Sequence, residues 1–409
     1  MQILRGVVAV AGALLTVSAF AQQIEPSDTG LAHALTSGKP TVQLRPRYEH
    51  VEQDGKPLNA DALTMRTLLG YKTGTWYGLS GYFEGINVGH FGDQKYNDKT
   101  TITNSPYPTV ADPDITDINQ FYADYTGIPD TLLRGGRQIV KLDNYRIIGN
   151  NDFRQVMQTF NAVTVENTSL PNTRIYGGYL MRQNTTADTQ RDINAPLFNV
   201  RYTWKPGNAL IAYGVLQDQA VTGQTGFADN SNKIFGVRAD GAYPMSDVWK
   251  VLYTAEYAKQ DAYSGGDSRI DASYYHVAIG AQRGDVFLRI EEERLGSNHG
   301  LYGFQTPLAT NHLFQGWADQ FLSTPPQGLR DVYLTAGAKV SKVALYTEVH
   351  RFRSDVGNID FGHELDVGIT YPIKPYLIGK IEYADFSGAD RVANKPDTRK
   401  IWFTLVFTY

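Results

Sequence analysis

The sequence predicts an all-β protein: a transmembrane antiparallel up-and-down β-barrel of about eighteen strands, with short periplasmic turns and long extracellular loops. Three observations carry this expectation. The chain opens on an export signal, its hydrophobicity alternates with a period of two from Thr41 to Tyr409, and its connections are short and long by turns.

Arg5 supplies the positive start of the signal, Val7 to Val17 is apolar, and Ala19-Phe20-Ala21 is a small-x-small cleavage site. The expected organisation is therefore a cleaved signal peptide (1–21), a short periplasmic segment (22–40) and an outer-membrane barrel (41–409). Removing Arg5 takes the net charge from −4 to about −5. A basic footprint for nucleic acid is absent. There are no cysteines, which excludes disulfides, thiolate metal sites and a Cys nucleophile. No later apolar run approaches the ~20 residues of a membrane helix. The mean hydropathy is −0.34, a value that a membrane barrel reaches because lipid-facing and lumen-facing residues alternate and cancel.

The final strand is the clearest. Ile401, Phe403, Leu405, Phe407 and Tyr409 fall on one face; Lys400, Trp402, Thr404 and Thr408 fall on the other. Phe198, Val200, Tyr202 and Trp204 oppose Asn199, Arg201 and Thr203. Val286, Leu288 and Ile290 oppose Arg289, Glu291 and Glu293. Leu365, Val367, Ile369 and Tyr371 oppose Glu364, Asp366 and Thr370. The stretch 130–166 alternates poorly, and Leu210 to Leu216 is apolar on both faces, so its phase stays open. A soluble sandwich would turn its apolar face inward and carry loops of similar length at both ends.

Turn chemistry marks Thr73-Gly74-Thr75, Leu170-Pro171-Asn172, Lys205-Pro206-Gly207-Asn208, Tyr243-Pro244-Met245-Ser246, Arg283-Gly284-Asp285, Val340-Ser341-Lys342 and Pro372-Ile373-Lys374-Pro375. Longer polar loops lie between them, near 52–61, 89–117, 141–154, 184–196, 219–230, 260–270, 295–330, 354–362 and 388–397. The two longest, 89–117 and 295–330, are candidate gates.

About eighteen strands enclose water, whereas eight are filled by side chains. The expectation is thus a wide, wet pore and passive transport. Phasing the better strands places Arg45, Arg47, Arg66, Arg174, Arg182, Arg201, Arg238 and Arg289 inside, with Lys250 and Lys380. Glu84, Asp124, Asp240, Glu256, Glu291, Glu293, Glu364, Asp366 and Glu382 join them. Arginine stays charged, and its planar fork can hold a carboxylate in two bonds, which suits an anionic solute. The same arginines could instead pair with carboxylates on neighbouring strands and hold the wall. With both signs present, anion selectivity does not follow from the census.

Two stretches resemble the alginate export family of outer-membrane barrels. One is Gly136-Arg137-Gln138, then Asp143, Arg146, Gly149, Phe153-Arg154-Gln155 and Gln158-Thr159-Phe160-Asn161-Ala162-Val163. The other is Thr306-Pro307, Ala309-Thr310-Asn311-His312, Phe314-Gln315-Gly316-Trp317-Ala318-Asp319-Gln320-Phe321 and Gly328-Leu329-Arg330-Asp331. The resemblance implies a monomeric eighteen-strand channel, rich in Arg, through which an acidic polysaccharide leaves the cell. It makes Arg137, Arg146 and Arg154 pore or constriction residues. Asn161 stands where the family commonly has Asp.

The expected function is therefore a porin-like channel in the bacterial outer membrane for polar or anionic solutes, with a uronate polymer among its candidate cargos. Alternatives are a general or sugar and organic-acid uptake porin, or a non-conducting barrel that serves as anchor or adhesin. Lipid, lipopolysaccharide and the barrel-assembly machinery are the expected partners. No enzyme is expected: there is no Gly-x-Ser-x-Gly elbow, and His363-Glu364 lacks a second His four residues on. No cofactor or metal is expected either. Asp112, Asp114 and Asp117 could in principle hold Ca²⁺, but their spacing fits no EF-hand, and solvated loop charge is the preferred reading. His312, Trp317 and Asp319 are expected to pack their loop onto the wall.

Overall fold

A computed structural model describes residues 30–100, 105–219, 229–390 and 394–409. The expected signal peptide, part of the 22–40 segment and parts of the 89–117, 219–230 and 388–397 loops lie outside these residues. Helix α1 (Leu31–Thr36) precedes eighteen strands. These are β1 (Lys39–Gln53), β2 (Ala60–Lys72), β3 (Leu79–His90), β4 (Ile115–Tyr125), β5 (Thr131–Gln138) and β6 (Thr159–Asn167). Then come β7 (Thr173–Asn184), β8 (Gln190–Lys205), β9 (Asn208–Gln217), β10 (Asn232–Pro244), β11 (Trp249–Ala262) and β12 (Asp271–Arg283). The last are β13 (Val286–Leu295), β14 (Leu329–Val340), β15 (Val343–Arg353), β16 (Asp360–Lys374), β17 (Leu377–Ser387) and β18 (Thr398–Thr408).

Each strand pairs antiparallel with its sequence neighbour, and β1 closes the sheet by pairing with both β2 and β18. Closure is what a bilayer demands, because an open edge would leave backbone groups without partners in hydrocarbon. One end carries tight turns, such as 206–207, 284–285 and 341–342. Gly207 and Gly284 take φ of +78° and +56° there, the left-handed conformation that matches a two-residue hairpin to strand twist. The other end carries the long connections.

Several details differ from the sequence reading. β1 begins at Lys39, and β8 begins at Gln190, which shortens the 184–196 loop to 185–189. The 141–154 loop widens to 139–158, and a turn at 126–130 joins β4 to β5. Pro372 to Lys374 stays within β16, with a register shift between Pro372 and Lys374.

The outer face is apolar as phased: Phe198, Leu288, Ile290, Leu365 and Phe403 are all exposed large hydrophobics. Arg182 is a correction. A register shift between Leu180 and Arg182 turns it out of the inward row. It donates instead to Asp192 at 2.6 Å, a carboxylate 79% exposed on the outer side of β8.

The lumen is a second correction. Loops 139–158 and 296–328 fold inward and share one apolar cluster with the wall. Val140, Leu142 and Ile148 of the first, and Phe304, Leu308, Trp317 and Phe321 of the second, belong to it. So do Ile211, Tyr213 and Val215 of β9. This is why β9 is apolar on both faces: one side meets lipid and the other receives a loop. The poor alternation before Val165 has the same cause, since residues 155–158 belong to the inward loop. A constricted lumen replaces the wide one expected.

The face assignment predicts a depth-dependent cost. Val277 sits at the middle of β12 on the lipid side. Val277→Lys should destabilise the folded barrel by about 2–4 kcal/mol, measured by urea unfolding in lipid vesicles. An unchanged unfolding midpoint would reverse the faces of β12.

Candidate functional site

Strand alternation gathers cations on the inner face of β17, β18, β1 and β2. Arg45 and Arg47 project from β1, Arg66 from β2, Lys380 from β17 and Lys400 from β18. Arg45, Arg66 and Arg47 grip loop 139–158. Arg45 Nε donates to Gln155 Oε1 at 2.9 Å, and its Nη1 donates to the Asp152 carbonyl at 2.6 Å. Arg66 Nη1 donates to Asp152 Oδ1 at 2.7 Å. Arg47 donates to Thr404 at 3.3 Å and lies 4.2 Å over the Phe153 ring. Asp152 keeps 32% of its side chain open to water. Burial would raise its carboxyl, but Arg66, Arg45 and Lys141 outweigh that and hold it below the usual range.

A buried clamp joins both loops to the wall. Arg154 of the first loop donates to Glu49 of β1 and to Asp319 of the second loop, each at 3.1 Å. Lys400 donates to the same Asp319 oxygen at 2.8 Å. His312 Nδ1 meets the other oxygen at 2.8 Å, and its ring stacks on Phe153 at 3.4 Å. Burial pulls His312 below its ordinary value of 6.5, more strongly than Asp319 raises it. Burial would raise Asp319, but Lys400, His312 and Arg154 hold it well below the usual carboxylate range.

The adjoining sector, β13 to β16, is acidic. Glu291 and Glu293, Asp331, Glu348, and Glu364 and Asp366 all face inward and are buried. Glu293, Glu364 and Asp366 anchor the loops from the other side. Arg146 meets Glu293 at 2.7 Å. Ala318 N–H donates to Glu364 at 2.6 Å, and Trp317 N–H donates to Asp366 at 3.3 Å. Gly316, at φ +79°, lies so close that a Cβ there would fall 2.3 Å from the Glu364 carboxylate. The preceding Gln315 amide reaches Glu293.

The other expected site residues disperse. Arg174 pairs with Glu166, Arg201 with Asp143, Arg238 with Glu256 and Asp240, and Arg289 with Glu291. Lys250 stands exposed at the turn end of β11. Arg137 does not join the constriction; it meets Asp117 at 3.0 Å and Thr159 at 3.2 Å. Asp112, Asp114 and Asp117 diverge. Asp112 is buried and accepts Gln155 N–H at 2.8 Å, Asp114 meets His90, and Asp117 meets Arg137. Solvated loop charge therefore does not describe Asp112. Its loop packs Tyr96 and Val110 against Val51, Ala60 and Ala62 at the rim. Lys141, Glu49 and Lys400 escaped the sequence list of site residues. Alternation had already set Lys400 opposite Ile401, but nothing in one sequence says that a loop will fold onto it.

Two outcomes test the clamp. Arg154→Ala leaves the Glu49 carboxylate, 0% exposed, without its cation. Breaking such a buried pair costs about 3–5 kcal/mol, which urea unfolding of the folded barrel would show. His312 supplies the acid response. With its folded value depressed, the unfolded loop binds the proton more readily, so docking is intact above 6.5 and weakens as pH falls below it. Protease nicking of loop 296–328 should rise on that acidification, and His312→Gln should flatten the response. Identical pH profiles for the two proteins would remove His312 from the mechanism.

No curated protein matches the chain. Its fold is similar to several solved outer-membrane channels. Pseudomonas aeruginosa OccK9 (OpdG) superposes with a TM-score of 0.72 at 12% identity, covering 92% of this chain and 99% of that one. P. aeruginosa OpdK, solved with vanillate, gives 0.69 at 13% identity, with 92% and 99% covered. Acinetobacter baumannii OccAB4 gives 0.68 at 10% identity, with 91% and 98% covered. The family described as "Alginate export" matches residues 87–309, a span that contains loop 139–158 and the first part, 296–309, of loop 296–328. A closed eighteen-strand barrel with a charged, loop-narrowed lumen is a porin-like channel of the bacterial outer membrane. The chain belongs to the alginate export family.

Proposed function

We propose that the channel passes small organic anions, with a carboxylate as the recognised group. One observation carries this reading. Arg45, Arg66, Lys141 and Lys380 converge electrostatically on Asp152, the partly water-exposed carboxylate of the constriction. Glu382 and Asp112 also act on Lys380 and Arg45, but four cations against three carboxylates still leave excess positive charge, and Lys141 and Lys380 are only half-buried. A solute carboxylate can take up that excess as counter-ion in a charge-assisted hydrogen bond from the half-buried Lys141 ammonium. The constriction also argues for small cargo, because a polymer needs both inward loops to leave the lumen.

The accompanying picture is a monomer, exported by cleavage after Ala21 and inserted by the barrel-assembly machinery, that acts by selective diffusion without catalysis. The domain limits 22–40 and 41–409 belong to the same proposal. Family membership favours a second reading, export of a uronate polymer, in which the clamp is the gate.

Single-channel recording in a salt gradient separates these. Wild-type barrel should prefer anions, most clearly at low salt, since screening at 0.1 M acts over about 10 Å. Vanillate or benzoate should block it. Lys141→Ala and Arg66→Ala should move the reversal potential towards zero, while Arg137→Ala should not. Cation preference in the wild type would overturn the proposal. Block by oligouronates with none by monocarboxylates would establish the polymer reading instead.

A further inference from the structure

We infer that the acidic sector holds a divalent transition-metal ion, of the Zn²⁺ class, bound by Glu348 and His350 of β15 and Asp366 of β16. The site is independent of the cargo. Alternation sets Glu348, His350 and Asp366 on the inner face, and the β15–β16 register places Glu348 directly opposite Asp366. One ligand atom from each of the three lies within 4.8 Å of the others, and all three residues are buried. This is the one such group among the described residues.

The histidine makes the cluster more than acidic wall. Its Nδ1 lies 2.9 and 3.0 Å from the two oxygens of Asp331. A carboxylate at this site accepts, so Nδ1 carries the proton and Nε2 is turned away from Asp331. The ring is fixed in that pose by stacking on Tyr333 at 4.8 Å and on Phe352 at 5.3 Å. Nε2 has no hydrogen-bond partner, although His350 is 2% exposed. It points between Glu348 Oε2 and Asp366 Oδ2, each 3.6 Å away. That is too long for a hydrogen bond. It fits the edge of a tetrahedron, since ligand atoms about 2.0–2.2 Å from Zn²⁺ stand roughly 3.4 Å apart.

The surroundings complete the chemistry. A metal-bound histidine usually donates its other N–H to a carboxylate, the role Asp331 fills here. Glu348 Oε1 accepts from Tyr346 at 2.5 Å, which orients Oε2 towards the site. Asp366 Oδ1 takes no hydrogen bond from an amide, hydroxyl or ring donor and lies beside the Glu364 carboxyl. Buried carboxylates held this close repel one another, and a dication offsets that repulsion directly. Asp366 Oδ2 also accepts Trp317 N–H, so ion and inward loop share one oxygen. Occupancy and loop docking are thereby coupled. The sequence carried the pattern as Glu348-x-His350 and Glu364-x-Asp366, which reads as wall charge until register sets the strands side by side.

The competing occupant is a proton, which would make His350 an imidazolium between the same oxygens. Metal content distinguishes the two. Full-length barrel would be stripped with chelator during refolding into detergent, given Zn²⁺ or Co²⁺, and desalted. One equivalent of Zn²⁺ should remain by elemental analysis. Co²⁺ should give the visible d–d bands of a tetrahedral site. Both signals should vanish in His350→Gln and in Glu348→Gln, and persist in His276→Gln and His312→Gln. Heat-modifiable mobility on gels reports folding, so either of the first two variants suffices if the other fails to fold. A folded wild type that retains no metal, or equal retention by a folded His350→Gln or Glu348→Gln variant, would overturn the site.

Discussion

The constriction depends on one buried set of charges. Asp319 receives Arg154 from one loop and Lys400 from the wall on one oxygen, and His312 on the other. Two segments far apart in sequence, 139–158 and 296–328, are thereby tied to each other and to the β18–β1 wall. Buried charges of this kind are expensive to remove from water and are tolerated where every partner is supplied. Here the partners come from two loops and the paired wall at once, so neither loop holds its place alone.

This changes what lumenal charge means in the barrel. In an open pore, inward arginines and carboxylates face water and act on passing ions. Here Arg45, Arg66, Glu293, Glu364 and Asp366 bind loop backbone or loop side chains. The wall is divided by sign, basic on β17 to β2 and acidic on β13 to β16, and each sector grips the loops by complementary groups. What remains exposed to water around Asp152 and Lys141 is what a solute can meet. Pore lining and loop anchoring are thus the same residues seen from two sides.

Much of the fold was legible because its signal is local. A strand with one face in lipid must alternate, and alternation recovered the eighteen strands, the outer apolar row and most of the inward charges. The failures also have local causes. Arg182 was misplaced because a single bulge shifts the face of everything beyond it. β9 could not be phased because its inner face, Ile211, Tyr213 and Val215, is apolar to receive a loop. Arg137 was assigned to the pore or constriction through motif resemblance; its partners are Asp117 and Thr159, not the Glu49 and Asp319 of the buried clamp.

By itself the sequence determined the barrel, its strand count and the sign of most wall positions. Backbone pairing in a bilayer leaves no other closed solution for such a pattern. Only the tertiary structure decided which charges meet. Loop 139–158 and loop 296–328 could have covered the mouth or entered it, and period-two alternation says nothing about either. Likewise Glu348, His350 and Asp366 are unremarkable inward residues until strand register sets β15 against β16. Register and loop path are long-range properties, fixed by partners far away in the chain, and that is why they were invisible in a single sequence.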